Sequence, residues 1–428
     1  MEVLSPFLDD HATGPIIDAI NATLGDVKNQ PKRYDRATLE AVKHDTAIIT
    51  PQTKALRRDV ERREALKALL ECIDLSRAVS EMKTELTSIF GVSEASFAET
   101  EAYFGEALTV DNLFPFVYKV MEDVTNERAA SILREYANKY EFRYNSKIDP
   151  QKELEQFLDT RINAFLVRKL IEGLSGAVEK GTITEQSCHT ITEHLLTNNA
   201  SPTGTNALYI SLLEEQIRRI QSAHGGANQP IVYFTIGCGD GSSDVKVCEE
   251  LHKRIQDLKL LVVGFDPFVS DLDHNFVINQ LGGKIVNHPI PPDETFLDVI
   301  EQKLGSRHYP VIATDRYALH HMGYSLAEVS RKLQGIPLVS VEEPITLIQR
   351  THFFYRLTKI GWDLLANYAF EVRFGGSWIS EARSNPDVFG VLYRRSEELE
   401  EESGRGAIRM QKVGANPLRQ NCIIVYYF

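Results

Sequence analysis

The sequence predicts an α/β protein, with a doubly wound sheet in the second half of the chain and an α-helical domain before it. Three observations carry this. Through the first half, apolar residues recur at three- and four-residue steps, the period of a helix. In the second half, short β-rich runs alternate with helical stretches, as in a parallel sheet covered on both faces. Between the first of those runs and the helix after it stands GCGDG, residues 237–241, with three glycines in five positions.

The helical reading begins with ALRRDVERREALKALLECIDLSRAVSEMKTEL. There Leu56, Val60, Leu66, Leu69, Leu70, Ile73, Leu75 and Val79 form one apolar stripe. Further helices are predicted at 113–123, 127–140, 152–174 and 185–196. Heptads do not continue cleanly, which argues against a long coiled coil. The turn formers of NNASPTGTN, residues 198–206, read as a linker or loop. They place the expected domain boundary at 1–200 and 201–428.

After one more helix at 208–222, the texture changes. Strands are predicted at 231–236, 260–265, 284–287, 311–314 and 338–341, with helices at 243–256, 271–281, 294–304 and 325–333 between them. A long helix at 347–368 precedes two last strand candidates, 388–394 and 422–428. These flank SEELEEESGRG, whose acidic run 397–402 reads as a solvated surface turn. Seven strands result, the last pair antiparallel.

Composition bounds the function. The 428 residues are enough for two or three domains, and 43% apolar with 25% charged residues is ordinary for a soluble globular protein. With 47 basic and 60 acidic residues the net charge is −13, so a nucleic acid would need a local basic patch. Five scattered cysteines, Cys72, Cys188, Cys238, Cys248 and Cys422, make neither a disulfide framework nor a zinc pattern. The start MEVLSPFLDDHATG lacks the features of a signal peptide, and no apolar run approaches the roughly 20 residues of a membrane span. A cytoplasmic protein with no membrane partner and no metal is expected.

The glycine turn sits where a strand meets a helix. There the missing Cβ atoms let backbone approach a ligand, and helix N-terminal amides point at it. Two ligand classes use such a corner, dinucleotides and S-adenosylmethionine. Gly237, Gly239 and Gly241 are spaced GxGxG, and Ser242 stands where the third glycine of a dinucleotide fingerprint belongs. The second strand ends in VVGFDPF, leaving Asp266 and Pro267 about 25 residues past the turn, where a carboxylate can hold ribose hydroxyls. The fourth strand leads into ATDRYALHHM and the fifth ends in SVEEP. Ligands of open α/β sheets sit at this carboxyl edge.

Taken together, IGCGDG, GFDP, ALHHM and VEEP, in this order and with the final antiparallel pair, resemble a class I S-adenosylmethionine-dependent methyltransferase, a Rossmann-like fold. The resemblance covers 231–428, somewhat under half of the chain. It implies that Gly237, Cys238 and Gly239 pass under the methionine part of the cofactor and that Asp266 holds the ribose. Asn287 and His288 would flank the adenine, and Asp315 and Tyr317 would lie near the amino-acid end or the transferred methyl. One position departs from the pattern: Thr235 stands where the family has an acid for the cofactor's amino group. Asp240 or Asp315 could substitute for it.

Methyl transfer to a hydroxyl or amine needs a base. His320 and His321 follow the fourth strand, and Glu342 and Glu343 end the fifth. Within each pair the side chains point in different directions, so one of each would face the ligand. The expected activity is transfer of a methyl group to an O or N nucleophile of a small molecule, with the helical half as lid and substrate pocket. An RNA or peptide acceptor is the alternative, although no lysine stands at the fifth strand as the RNA 2′-hydroxyl enzymes of the superfamily have. A non-catalytic scaffold and a NAD-dependent oxidoreductase are the rivals, and the helical half could support a homodimer.

Overall fold

The computed structural model describes residues 51–91, 98–99, 101–103, 105, 113–122, 124–137, 139, 149–200, 205–224, 229–239, 241–267, 281–291, 293–319, 326–344, 353–376, 378–384, 395–406, 408–413 and 421–427. They group into two compact units. One holds the described residues up to Thr184 together with 353–365 and 382–384; the other holds 185–344, 366–381 and the remainder to 427. No described helix is long and apolar enough to cross a membrane.

The first unit is helical, as the apolar stripes predict. Its helices are α1 (Pro51–Glu71), α2 (Leu75–Phe90), α3 (Leu113–Glu122), α4 (Asn126–Ala137) and α5 (Pro150–Glu179). The stripe that reads as one segment is two helices: α1 ends at Glu71, and Asp74 caps α2 by accepting a hydrogen bond from the Arg77 amide at 3.0 Å. The long helix α5 is buried along most of its length and packs against α1, α2 and α4. Buried charges on it are paired, Arg161 with Glu85 and Lys169 with Glu81 and Glu172. Residues 353–365 belong to this unit by contact. Arg356, 1% exposed in its side chain, donates to Asp159 of α5 at 3.1 Å, and the Arg62 guanidinium lies 4.8 Å from the Trp362 ring centre.

The second unit contains α6 (Glu185–Ala200), α7 (Thr205–Ala223), β1 (Ile231–Ile236), α8 (Ser242–Arg254), β2 (Leu260–Phe265), β3 (Lys284–Val286), α9 (Phe296–Leu304), β4 (Val311–Arg316), α10 (Leu326–Leu333) and β5 (Leu338–Glu342). The second part of α11 (Phe353–Phe374), most of α12 (Trp378–Ser384), α13 (Ser396–Gly404), β6 (Ile408–Val413) and β7 (Asn421–Tyr426) complete it. The strands form one seven-stranded sheet in the order β3-β2-β1-β4-β5-β7-β6. Neighbours are parallel from β3 to β5, and β7 is antiparallel to both β5 and β6. This is the doubly wound, Rossmann-like sheet with an antiparallel end that the sequence predicts.

Each face of the sheet carries its own core. Val232, Phe234, Val263, Ala313, Leu338 and Ile424 pack under Phe296, Val329, Leu333 and Leu399 on one side. Ile231, Tyr233, Ile312, Val339 and Val425 pack under Tyr209, Leu213, Val247 and Leu251 on the other. Central strands buried on both faces explain the unbroken apolar runs.

Two expectations are corrected. The acidic run 397–402 is not a surface turn but part of α13. Glutamates are good helix formers, Glu397 and Glu398 suit the first turn, and Leu399 is buried at 1% exposure against the sheet. The strand before β7 is therefore 408–413; the candidate at 388–394 lies outside the described residues, as does most of the expected helix 271–281. The two ends of 198–206 are helical as well, with α6 running through Ala200 and α7 starting at Thr205, while 201–204 lie outside the described residues.

Candidate functional site

In the strand order, β1 is flanked by β2 on one side and β4 on the other, so the chain leaves β1 in one direction and returns on its far side. That reversal opens a crevice at the carboxyl edge between β1 and β4. The glycine turn follows β1 at this point. Gly237, Gly239 and Gly241 have φ of 65°, 53° and 73°, left-handed values that side chains disfavour. A Cβ built on Gly239 would meet no atom within 4 Å, so the space above it is open and the glycine is required by conformation. The amides of Gly237 and Cys238 donate to the Phe265 carbonyl at 2.7 and 3.3 Å, which pins the turn to the end of β2.

Asp266, the first residue past β2, completes the corner. Half-buried, it accepts a hydrogen bond from the Gly239 amide at 3.0 Å, and its own amide donates to the Val286 carbonyl of β3. Pro267 and Asn287 beside it are half-buried, and His288 is exposed. The sequence-predicted Gly237, Cys238, Gly239 and Asp266 are thus brought together, with Asn287 at the end of the neighbouring strand. Asp240, His320 and His321 lie outside the described residues.

At the end of β4, successive side chains take opposite faces. Asp315, 1% exposed, is fully engaged inside the protein. Its Oδ1 accepts from the Ala318 and Leu319 amides at 3.0 and 3.1 Å, and its Oδ2 from the Ser340 hydroxyl at 2.7 Å. Burial pushes its pKa up to about 7; Glu342 adds to the rise, while the Ser340 and backbone hydrogen bonds oppose it. Ser340 also lies 3.2 Å from Glu342, which accepts from the Tyr426 hydroxyl at 2.6 Å. Glu342 is therefore a buried member of a network, and Glu343 beside it is half-buried. Tyr317 holds the left-handed φ of 63°, its amide donating to the Val341 carbonyl at 3.0 Å.

On the other face lies a cluster that the sequence reading missed. Asp244, in the first turn of α8 and 0% exposed, accepts through Oδ1 from the Tyr233 hydroxyl and from Arg316 Nη2, both at 2.9 Å. Burial opposes the charge on Arg316, but Asp244, helped by Tyr209 and Tyr233, holds its pKa above the ordinary value. The guanidinium lies 6.0 Å from the ring centre of Tyr209, a fully buried residue of α7. Arg316 Nη1 is buried without a hydrogen-bond partner among the described residues, and the buried Tyr209 hydroxyl has Thr314 close by but no hydrogen bond of good geometry. The available signal was a charged pair, Asp315–Arg316, at the end of an apolar strand. Thr235, 2% exposed, stands on β1 on this same face as Tyr233.

No protein-family model and no curated protein matches the chain. Among solved structures it is similar to the CurJ carbon methyltransferase, at 14% identity and a TM-score of 0.35 over 87% of this chain and 98% of that one. It is also similar to the trans-methyltransferase CalH in complex with SAH, at 13% identity and a TM-score of 0.33, over 72% of this chain and 86% of that one. A third is an O-methyltransferase family 2 protein from Planctomyces limnophilus in complex with apigenin, at 11% identity and a TM-score of 0.25, over 74% and 96%.

Proposed function

We propose that the chain binds S-adenosylmethionine across the Gly237–Gly241 turn and moves its methyl group to an oxygen or nitrogen of a small molecule. The observation that carries this reading is the corner itself. Open space lies over Gly239, and the Gly239 amide is tied to an acid, Asp266, at the tip of the next strand. Buried polar atoms left over at the end of β4 fit the same ligand. Gly237, Cys238 and Gly239 would carry the amino-acid part, Asp266 the ribose hydroxyls, and Asn287 with His288 the adenine edge. Tyr317, beside the crevice, is assigned to the methyl end.

When bound, the cofactor supplies a methyl group activated on a sulfonium sulfur. The chain's own work is then to orient the acceptor, exclude water and take up a proton. Glu342, buried between Ser340 and Tyr426, is suited to positioning rather than to meeting an acceptor. We assign the proton acceptor to Glu343 or to one of His320 and His321. The acidic balance of the chain favours a small molecule over RNA. The helical unit is assigned acceptor selection. Slower hydrogen exchange in 51–184 on adding acceptor to the cofactor-loaded chain supports that, and unchanged exchange there contradicts it.

Isothermal titration with S-adenosylmethionine, its demethylated product and NAD tests the reading. Micromolar binding of the first two, with none of NAD, is the expected result. Thr235 in place of an acid favours a second reading, a non-catalytic scaffold. That reading requires no micromolar binding of either adenosyl compound.

A further inference from the structure

We propose that Arg316 Nη1 and the Tyr209 hydroxyl receive the carboxylate at the amino-acid end of the cofactor, with Asp244 positioning the guanidinium. The assignment rests on the cofactor reading above and gives that reading a residue for a contact the sequence left unassigned. Three observations converge on it.

The first is register. Ile236 pairs with Asp315, the last rung between β1 and β4. One step further along the two chains stand Arg316, the last residue of β4, and Gly237, the first of the turn. Asp266 follows the last residue of β2, on the opposite side of β1. A ligand whose sugar rests on Asp266 and whose tail crosses the glycine turn therefore reaches β4 two strand spacings away, about 10 Å.

The second is the state of the guanidinium. One edge is held through Nη2 on Asp244, while Nη1 is buried with no acceptor among the described residues. A buried guanidinium with donors left over is built for a carboxylate, which it meets in the fork geometry that lysine lacks. The third is Tyr209, whose ring centre lies 6.0 Å from the Arg316 guanidinium and whose buried hydroxyl has Thr314 close by but makes no hydrogen bond of good geometry among the described residues. A buried guanidinium nitrogen left over beside a buried phenol calls for an acceptor group.

The test compares two probes, S-adenosylhomocysteine and 5′-methylthioadenosine, which keeps the nucleoside and thioether but lacks the amino-acid end. The native chain should bind the first more tightly. Arg316→Lys keeps a cation for Asp244 and should lose about tenfold or more in affinity for S-adenosylhomocysteine, with methylthioadenosine unchanged within about twofold. Tyr209→Phe should lose several-fold with the same selectivity. Equal weakening for both probes would make Arg316 part of the framework alone and overturn the assignment, as would unchanged binding of both. Should Arg316→Lys fail to fold, Tyr209→Phe decides: selective weakening supports the proposal and its absence overturns it. A native chain that binds the two probes equally well overturns this assignment and leaves the cofactor reading intact. Binding of neither probe overturns both.

Discussion

The Gly239 amide donates to the Asp266 carboxylate at 3.0 Å, across 27 positions of sequence. The acid proposed to hold the ligand's sugar therefore also shapes the turn on which the ligand lies. Asp266→Ala removes both functions and Asp266→Asn only part, since the amide oxygen still accepts from Gly239. Charge-assisted hydrogen bonds contribute about 1.5–3 kcal/mol each. In titrations with S-adenosylhomocysteine the alanine variant should lose about a hundredfold or more in affinity and the asparagine variant about tenfold. Native-like binding by Asp266→Ala would contradict the role given to this residue.

The buried pair of Asp244 and Arg316 joins the helix after the glycine turn to the end of β4. Removing the acid leaves a buried cation uncompensated, which costs about 3–5 kcal/mol. Asp244→Ala should be strongly destabilised in urea unfolding. Tyr233→Phe, which deletes one of the two donors to the same oxygen, should cost about 1 kcal/mol. An Asp244→Ala protein within about 1 kcal/mol of native would show the pair to be dispensable.

Asp315 gives the fold a pH dependence of definite sign. Burial raises its pKa in the folded chain to about 7, above the value of about 3.9 for an unfolded aspartate. Between those values the unfolded chain has lost a proton that the folded one keeps, so stability falls as pH rises from about 4 to about 7 and levels off above. Glu342 is the facing carboxylate that reinforces the rise, and Ser340 with the 318 and 319 amides opposes it. Asp315→Asn keeps an acceptor for those amides and removes the titration. Its melting temperature relative to native should climb over that window, and a constant difference from pH 4 to pH 8 would contradict the assignment.

In the helical unit, α5 approaches α1 closely at Gly173, where a Cβ would lie 3.0 Å from the Leu69 carbonyl oxygen. At Gly361 it would meet only side-chain methyls, 3.2 Å from Leu170 and 3.3 Å from Leu66. Alanine gains about 1 kcal/mol in helix propensity at either site, while overpacking costs about 1–3 kcal/mol. Methyls can yield and a backbone carbonyl cannot. Gly173→Ala should therefore lower the denaturation midpoint more than Gly361→Ala, and the reverse order would show that the carbonyl gives way.

What could be read in advance follows from the range of the interactions involved. The five parallel strands, the turn and Asp266 were legible because each depends on local signals: continuous apolar runs, glycine spacing, an acid at a strand tip. SEELEEESGRG misled because charge alone suggested a solvated turn, whereas Leu399 faces the core and the glutamates favour a helix. Turn-forming asparagines at 198 and 199 were likewise overridden by the packing of α6 against α8. The Asp244–Arg316 and Ser340–Asp315 contacts span 72 and 25 positions. Only the sheet's register brings such residues together, and no local pattern announces it.

The most direct measurement is a cocrystal structure with S-adenosylhomocysteine. The nucleoside should lie across Gly237–Gly241 with its ribose hydroxyls on the Asp266 carboxylate. Density for the compound away from this corner, or a corner that takes up a nicotinamide dinucleotide instead, would contradict the proposed function.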